Sequence, residues 1–329
     1  MPDSPLANIR RATESVLREL LRPGEQVALL DYPLYFNPGD ALIYLGTLET
    51  LSRLDVPVSY TTDLHRYSPV RLAERHPRGP ILLQGGGNFG DQYPRHQSFR
   101  ERVLADFPDR RIIQLPQSTD MSVETAQGIR RRYVRHAALT VLLRDTRSMR
   151  FAEQNLSGVD VRLCPDLAFG YSPRRTATPT IDVIELKRVD RESIETTLFT
   201  PMAGVSVRRS DWRISRAERL VWNTLQGRRT KLVPLAIPML ADSPAYETAA
   251  RMLVRSAHRM LEQGRIVVTD RLHAAVLAAL IGRAVVARDN ANRKLSAIIE
   301  DYLGDLGAVM APDAEAAAAA IRRSLTPND

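Results

Sequence analysis

Short apolar runs alternate with helix-length segments along most of this chain, and this alternation limits the possible folds more than any other feature. The runs 26–33 (QVALLDYP), 81–84 (ILLQ) and 139–143 (LTVLL) are each followed by a helical pattern, and the alternation resumes after residue 180. Parallel strands that are buried on both faces appear as continuous apolar runs, and a helix connects each strand to the next. The sequence therefore predicts an α/β fold with two doubly wound, Rossmann-like domains that face each other across a cleft.

The segment 170–180 (GYSPRRTATPT) separates the two alternating series. It is rich in Pro, Thr, Ser and Arg, a composition typical of a linker. Because 329 residues are too many for one ordinary hydrophobic core, we expect an N-terminal domain over residues 1–172, a linker over 173–180 and a C-terminal domain over 181–329. Such domains bind ligands at the carboxyl ends of their strands, so the site should lie in the cleft.

The composition excludes several classes of protein. The formal net charge is +8, with 46 Lys and Arg residues, which favours anionic substrates or an anionic membrane surface. The basic residues are scattered, so nucleic acid is not an expected partner. With one cysteine and no metal-binding spacing among the histidines, no metal site is expected. The N-terminus lacks the apolar run of a signal peptide, and we expect a soluble, cytoplasmic protein.

The stretch 84–91 (QGGGNFGD) predicts a glycine-rich loop after an apolar strand. Its first, third and last glycines satisfy the dinucleotide-binding spacing G-x-G-x-x-G. However, the next strand ends with Gln114 and Gln117, where the acidic residue that binds a ribose would stand, so NAD is not the expected cofactor. Three consecutive glycines still allow a close backbone approach to a ligand, with Asn88 and Asp91 as polar contacts.

A second loop of similar build, NPGDAL (37–42), precedes another helical pattern. Asp40 has the position of a helix N-cap, and capping is sufficient to explain its carboxylate. Capping alone does not explain Asn37 and Gly39.

Charged residues also follow two later strands of the N-terminal half. The motif LRDTRS places Arg144 and Asp145 at a strand end, and CPDLAF does the same for Asp166. A charged residue at such a position is either solvated or lines the cleft, and the sequence leaves both alternatives open.

The stretch 265–282 (RIVVTDRLHAAVLAALIG) predicts an apolar strand, a tight turn and an apolar helix. Asp270 has the N-cap position, which places Arg271 and His273 in the first helical turn. Cations are disfavoured there by about 0.3–1 kcal/mol, because the helix dipole is positive at this end. A bound anion would compensate the cations and would accept hydrogen bonds from the free N–H groups of the helix. We therefore predict that a phosphate or a carboxylate binds Arg271 and His273.

The C-terminal domain offers further basic residues after its strands. The motif ELKRVD contains Lys187 and Arg188, and only one of them should face the cleft, because neighbouring strand residues point to opposite faces. Lys294 follows a later strand. Together with Arg271, these residues predict a site for a small, doubly anionic ligand.

These stretches, in this order, resemble the polysaccharide pyruvyl transferase family. The matching segments lie within residues 27–300 and are NPGDALI, QGGGNFGD, LPQS, LRDTRS, CPDLAF, LKRVDRE, TDRLH and RDNANRK. The resemblance implies a GT-B-like fold and the transfer of a pyruvyl group from phosphoenolpyruvate to a sugar of a surface polysaccharide or its precursor. The product would be a cyclic ketal across two hydroxyl groups.

We assign roles to individual residues from the resemblance and from the chemistry of the reaction, which needs proton transfers for which histidine is the usual candidate. His273 would be the main proton-transfer residue, with Asp91 as its candidate partner from across the cleft. The donor would contact the C-terminal Arg-Leu-His motif and further basic residues: Arg271, Leu272, His273, Arg188, Arg144 and Lys294. The acceptor sugar would contact the N-terminal loops: Asn37, Gly39, Asp40, Gly86, Gly87, Asn88 and Asp91.

Phosphoenolpyruvate would be a co-substrate, and the resemblance implies no further cofactor and no metal. A lipid-linked acceptor would bring the basic protein to the inner face of the membrane.

Two alternatives remain open: a GT-B glycosyltransferase that uses a nucleotide sugar, and a non-catalytic module that binds a sugar or an anion. The first would need an acidic residue placed to hold a ribose in the C-terminal domain, and the sequence offers no clear candidate. The oligomeric state does not follow from the sequence.

Overall fold

Two parallel β-sheets, one in each half of the chain, form the framework of the protein. The structure is a computed structural model that describes residues 4–188, 197–212, 215–225, 243–289 and 293–326. The strand pairings in both sheets are parallel, as predicted. No helix within these residues is long and apolar enough to span a membrane.

The N-terminal half alternates helices with strands from its first described residues. Four of its helices begin with Pro, whose fixed φ suits the first helical turn. Its elements are α1 (Pro5–Leu20), β1 (Val27–Leu30), α2 (Pro38–Arg53), β2 (Val58–Thr62), α3 (Pro69–Arg75), β3 (Ile81–Leu83), β4 (Gly86–Gly90), α4 (Pro94–Asp106), β5 (Ile112–Asp120), α5 (Val123–Tyr133), β6 (Leu139–Leu143), α6 (Thr146–Asn155), β7 (Asp160–Leu163) and a 3-10 turn (Leu167–Gly170).

Residues 171–180, within which the linker is predicted, have no regular secondary structure. The C-terminal half then repeats the alternation. Its elements are β8 (Ile181–Leu186), β9 (Val207–Ser210), α7 (Arg216–Leu225), α8 (Ser243–Leu261), β10 (Gly264–Thr269), α9 (Leu272–Leu280), β11 (Ala284–Ala287), α10 (Lys294–Ile298), a π-helical turn (Ile299–Leu303), β12 (Val309–Met310) and α11 (Ala314–Leu325).

The two sheets have the same strand order. The N-terminal sheet runs β2-β1-β3-β5-β6-β7, with the short strand β4 paired to β5 beside this path, and the C-terminal sheet runs β12-β11-β10-β8-β9. In both sheets the order reverses after the second strand, which leaves a crevice at the carboxyl ends of β1 and β3 and of β8 and β10. Doubly wound folds bind their ligands at this crevice. The predicted α/β fold, with two Rossmann-like sheets in a GT-B-like arrangement, is confirmed.

Helix α2 joins the two halves. It is buried along most of its length, including Leu42, Tyr44 and Leu45, because it packs on the C-terminal helices α8 and α9 as well as on the 3-10 turn. A Cβ on its Gly46 would lie 1.9 Å from the carbonyl oxygen of Leu167, so only glycine allows this contact. One apolar cluster therefore continues from the N-terminal half into the C-terminal half and fixes the two sheets relative to each other.

Some elements differ from the prediction. The sequence pattern did not single out α3, α7, β9 and β12; the two strands lie at the edges of their sheet and are partly exposed, so they lack an apolar run. The glycine stretch predicted as a loop forms strand β4, because Gly90 can approach the backbone of Asp120. The strand predicted from TKLVPLAI (230–237) lies outside the described residues.

Candidate active site

A cavity of about 300 Å³ lies between the carboxyl ends of the two sheets. Eleven of the thirteen predicted site residues line it: Asn37, Gly39, Asp40, Gly87, Asn88, Arg144, Arg188, Arg271, Leu272, His273 and Lys294. The two that do not are Gly86 and Asp91. The lining also includes residues that the sequence analysis did not single out: Tyr35, Tyr93, His96, Trp212 and Leu295.

Three cations of the cavity are held by carboxylates that lie behind them. The arginine and lysine side chains line the cavity, and their carboxylate partners do not. The ion pairs are Arg144 with Asp166 at 2.7 Å, Arg271 with Asp211 at 2.8 Å and Lys294 with Asp120 at 3.0 Å. Cations that are fixed in advance lose little side-chain entropy when they bind an anion. The cavity therefore presents three cationic groups whose positions are fixed by the protein itself.

Arg144 and Asp166 form the buried centre of the site, and each side chain is 1% exposed. His273 Nε2 lies 3.4 Å from Asp166 Oδ2 and 3.5 Å from Arg144 Nη1. Burial alone would raise the pKa of Asp166, but Arg144 and His273 more than offset it and hold this pKa below its usual value. Asp166 therefore stays ionised. Of the two alternatives for a charged residue at a strand end, Arg144 lines the cleft, whereas Asp166 is neither solvated nor part of the lining and pairs with Arg144.

The NPGD motif forms the first turn of helix α2. Asn37, and not Asp40 as predicted, is the N-cap residue, and its Oδ1 accepts a hydrogen bond from the Gly39 backbone N–H at 2.9 Å. The helix begins earlier than predicted because Pro38 occupies its first position. Asp40 Oδ2 instead accepts hydrogen bonds from Asn37 Nδ2 and from the Tyr35 hydroxyl, both at 2.7 Å.

Gly39 sets how closely the two walls of the cavity approach each other. A Cβ at this position would lie 2.9 Å from both the Cβ and the Nδ1 atoms of His273. Only glycine therefore allows the histidine ring to pack against helix α2 at this distance. The glycine that capping did not explain is required by its contact with the predicted proton-transfer residue.

The three consecutive glycines are explained by close contacts and by backbone conformation. A Cβ on Gly85 would lie 2.7 Å from a carbonyl oxygen of strand β5, and Gly86 has a φ of +143°, which favours glycine. A Cβ on Gly87 would lie 3.3 Å from Arg144 Nη2. Gly86 thus shapes the backbone without reaching the cavity, whereas Gly87 lets the guanidinium of Arg144 come close.

A buried arginine orients the next residue, Asn88. Arg100 is 0% exposed and donates to the carbonyl oxygen of Asn88 at 3.1 Å and to its side-chain Oδ1. Because Oδ1 is engaged, the part of the side chain that Asn88 can offer to a ligand is its NH₂ group. Asn88 is therefore a hydrogen-bond donor of the cavity wall.

The Arg-Leu-His motif begins helix α9. Arg271, and not Asp270 as predicted, is the N-cap residue, and it makes no side-chain capping hydrogen bond. Asp270 Oδ1 instead accepts the backbone N–H of Arg188 at 2.8 Å, which ties the carboxyl end of β8 to that of β10. Of Lys187 and Arg188, only Arg188 lines the cavity, as predicted, although both residues lie beyond the end of strand β8. The negative partner that the structure shows for Arg271 is Asp211, a carboxylate of the chain itself, and the bound anion stays a prediction.

The predicted partner of His273, Asp91, is exposed and lies outside the cavity lining. Its Oδ2 accepts the backbone N–H of Ser122 at 2.7 Å, next to the start of α5. Because the glycine stretch is an extended strand, Asp91 lies about 13 Å beyond Gly87 along the chain. The carboxylate that the structure places next to His273 is Asp166.

A second histidine lines the N-terminal wall. His96 Nδ1 lies 3.0 and 2.9 Å from the two carboxylate oxygens of Asp31, and Tyr35 and Tyr93 flank its ring edge-on at 6.3 Å between centroids. Asp31 is 3% exposed and has a φ of 67°, a strained conformation for a residue other than glycine. Its place after strand β1 was an available sequence signal, whereas His96 lies within helix α4 and gave none.

Two motifs extend beyond the part of the chain that the structure describes: residues 189–192 of LKRVDRE and residues 290–292 of RDNANRK.

In the described ranges, no three His, Cys, Asp or Glu residues gather in a way that could hold a metal ion. The expectation that neither a metal nor a further cofactor takes part stays a prediction.

Known proteins resemble this chain in sequence and in fold. The family model of polysaccharide pyruvyl transferases matches residues 37–292. Pyruvyl transferase 1 of Schizosaccharomyces pombe is 30% identical over 283 residues and covers 81% of this chain, which spans 66% of the length of that protein. Protein EpsO of Bacillus subtilis is 26% identical over 292 residues, with 85% of this chain and 86% of EpsO covered.

A solved structure of a functionally uncharacterised protein from Klebsiella pneumoniae has the same fold. It matches with a TM-score of 0.57 and 17% identity, and the match covers 93% of this chain and 99% of that chain. The family match begins at the NPGD motif and includes residues from both walls of the cavity. The chain belongs to the polysaccharide pyruvyl transferase family and is a transferase.

Proposed function

We propose that this protein transfers the pyruvyl group of phosphoenolpyruvate to a sugar of a surface polysaccharide or its precursor, where it forms a cyclic ketal. The observation that carries the proposal is a cavity in which cations from both halves of the chain surround a histidine. Phosphoenolpyruvate carries a phosphate and a carboxylate, and both groups need cationic or N–H partners. Membership in the polysaccharide pyruvyl transferase family supports the same reaction class.

We assign donor binding to the C-terminal wall and to Arg144 opposite it. Arg188 and Arg271 follow β8 and β10, at the crevice where the strand order reverses. Arginine is suited to both groups of the donor, because its planar fork binds carboxylates and phosphates through two hydrogen bonds. The backbone N–H groups at the start of α9 add further donors. The donor contacts are thus Arg144, Arg188, Arg271, Leu272, His273 and Lys294.

The reaction adds two hydroxyl groups of the sugar to C2 of phosphoenolpyruvate. The first hydroxyl oxygen bonds to C2 while the methylene carbon gains a proton and becomes a methyl group. The C2–O bond to the phosphate then breaks, and the second hydroxyl oxygen bonds to C2. Of the two hydroxyl protons, one balances the proton gained by the methyl group and the other leaves with the phosphate. The site therefore needs a group that accepts and donates protons near neutral pH.

We assign this proton transfer to His273, because histidine is the side chain suited to proton exchange near neutrality. It lies at the start of α9, beside the proposed donor contacts. Asp166, 3.4 Å from its Nε2, orients the ring and stabilises its protonated form. Arg144 lies 3.5 Å from the same nitrogen and would stabilise the departing phosphate.

We assign acceptor binding to the N-terminal wall. Asp40 offers a carboxylate, Asn88 offers an NH₂ group, and both suit the hydroxyl groups of a sugar. Tyr35 and Tyr93 are 37% and 40% exposed and flank His96, so they offer aromatic surface to a sugar ring. The other predicted acceptor residues shape this wall: Asn37, Gly39, Gly86 and Gly87.

We further propose that the reaction proceeds in the cytoplasm without a cofactor other than the co-substrate. A lipid-linked acceptor would make the basic surface a contact for the inner face of the membrane. Sedimentation with anionic vesicles measures this contact, and no binding would remove the membrane part of the proposal.

A thermal-shift comparison of phosphoenolpyruvate, nucleotide sugars and NAD tests the donor. A ligand present at about 100 times its Kd adds about 2.7 kcal/mol of apparent stability. We expect phosphoenolpyruvate alone to stabilise the protein and to release inorganic phosphate when a suitable acceptor sugar is added. Stabilisation by a nucleotide sugar instead would place the protein among glycosyltransferases. Phosphoenolpyruvate binding without phosphate release across a panel of acceptors would indicate a binding module.

A further inference from the structure

Asp211 lies on the loop after the edge strand β9 and is the carboxylate partner of Arg271. Its Oδ1 and Oδ2 atoms lie 2.8 and 3.0 Å from Arg271 Nη2. Its Oδ1 also accepts the backbone N–H of Trp212 at 2.7 Å, which fixes the carboxylate in place. Arg271 and Trp212 line the cavity, and Asp211 does not. The carboxylate thus holds the guanidinium without itself lining the cavity.

We propose that Asp211 is a positioning residue for donor binding that acts through Arg271. The inference rests on the function proposed above, because the ligand measured is phosphoenolpyruvate. Asp211 has two effects on an anion in the cavity, and they have opposite signs. Its negative charge repels the anion, whereas its hydrogen bonds fix a long, flexible side chain at a helix N-terminus, where a cation is disfavoured.

The geometry makes the positioning effect the larger one. The side chains of Arg271 and Asp211 are 12% and 18% exposed, so their contact is largely shielded from solvent. Arg271 lines the cavity and Asp211 does not, so the positive charge of the guanidinium offsets much of the repulsion. A guanidinium binds an anion through directional hydrogen bonds, which weaken steeply when their angles change. Loss of the fixed orientation therefore weakens binding more than loss of the repulsion strengthens it.

The variant Asp211→Asn separates the two effects, because it removes the charge and keeps the shape. Repulsion alone predicts tighter binding of phosphoenolpyruvate. Positioning predicts that its Kd rises about tenfold, which is about 1.4 kcal/mol, with KM raised more than kcat is lowered. The matched control is Asp182→Asn, which removes the same charge from the start of strand β8, next to Ser206. This control should leave the Kd within about twofold of wild type.

A double-mutant cycle tests whether Asp211 acts through Arg271. In an Arg271→Gln background, Asp211→Asn should change the remaining affinity by no more than about twofold. The variant Asp211→Glu keeps the charge and moves it by one methylene group, so it should also weaken binding of phosphoenolpyruvate. If the Asp211→Asn variant does not fold, Asp211→Glu replaces it in this experiment. Unchanged or tighter binding in the folded variants, or an equal loss in the Arg271→Gln background, overturns the inference.

The outcome also separates this inference from the proposed function. If the wild type does not bind phosphoenolpyruvate, the proposed function fails, and the same variants titrated with inorganic phosphate test Asp211 independently. If the wild type does not bind phosphate either, Arg271 forms no anion site, and the role of Asp211 is overturned as well.

Discussion

The two sheets have the same strand order, yet their carboxyl edges carry different chemistry. The C-terminal edge presents Arg188, Arg271 and His273, whereas the N-terminal edge presents a glycine-rich stretch, Asp40 and two tyrosines. Doubly wound topology determines where the cavity forms, and the residues after the strands determine what it binds. The difference supports our proposal that one wall receives an anion and the other a hydroxyl-rich ligand.

The two walls are not independent of each other. His273 from the C-terminal half packs on Gly39 and contacts Asp166, both from the N-terminal half. Arg144 adds a cation from the N-terminal half to the contacts that we assign to the donor. Variants can therefore test whether each wall has its own ligand and which contacts join them.

The largest effect is expected from Arg271→Ala on the C-terminal wall. We expect kcat/KM for phosphoenolpyruvate to fall about a thousandfold, because a charged hydrogen-bond donor to the reacting anion is lost. The matched control is Arg265→Ala, which removes an exposed arginine from the other end of strand β10. Steady-state kinetics of both variants measure the effect. A loss below about tenfold for Arg271→Ala would contradict the assignment of the C-terminal wall to the donor.

Asp166→Asn tests the contact that joins the walls. It leaves the buried guanidinium of Arg144 without its counter-ion, so we expect a loss of about 3 kcal/mol in the free energy of unfolding, together with lower activity. Asp160→Asn removes an exposed carboxylate that pairs with Arg162 and should cost below about 1 kcal/mol. Urea unfolding compares the two variants. Equal losses would show that the Arg144–Asp166 pair contributes no more than a surface pair.

The same carboxylate gives a pH dependence of known sign. The pKa of folded Asp166 lies below its usual value, so its ion pair stabilises the protein fully above the unfolded pKa of about 3.9. This stabilisation is lost as the pH falls from about 4 towards the folded pKa. Wild-type stability should therefore decrease more steeply in acid than that of Asp166→Asn. Parallel curves of unfolding free energy against pH would contradict this expectation.

The sequence predicted the residues that line the cavity better than the residues that support them. Arg144, Arg188 and Arg271 directly follow apolar strands, and in a parallel sheet such positions lie on the ligand-binding edge. The supporting residue Asp211 follows an edge strand without an apolar run and so lacks this signal, and the lining residue His96 lacks it because it lies inside a helix. Which side chain a carboxylate such as Asp166 or Asp31 supports depends on contacts between distant parts of the chain, and no local pattern contains that information.

The errors in the predicted caps and in the predicted partner of His273 have local causes. Pro38 starts helix α2 and makes Asn37 its cap, which leaves Asp40 for the site. The glycines near residue 86 form a strand, and this extended backbone carries Asp91 past the cavity. In both places, the backbone geometry determined which polar residue takes the predicted position: Asn37 and not Asp40 caps helix α2, and Asp91 does not reach His273.

Gly39→Ala tests the spacing between the walls without removing a functional group. The added Cβ would lie 2.9 Å from His273 Cβ and Nδ1, so the ring must move. We expect kcat to fall about a hundredfold, because a displacement of about 1 Å of a catalytic group has this effect. The control Gly128→Ala lies in helix α5 with space for a methyl group and should stabilise the protein by about 0.5–1 kcal/mol without loss of activity. An active Gly39→Ala variant would show that the contact is not required.

The smallest effect is expected from His96→Gln on the N-terminal wall, and it tests whether the walls bind different ligands. His96 lines the cavity between Tyr35 and Tyr93, which we assign to the acceptor. We therefore expect the KM for the acceptor sugar to rise about tenfold, as for the loss of one hydrogen bond to a substrate. The thermal shift with phosphoenolpyruvate should stay at the wild-type value, and His65→Gln, an exposed histidine of the same half, should change neither quantity. A weaker shift with phosphoenolpyruvate in His96→Gln would mean that the donor also reaches the N-terminal wall, and the division of the cavity into two walls with separate ligands would fail.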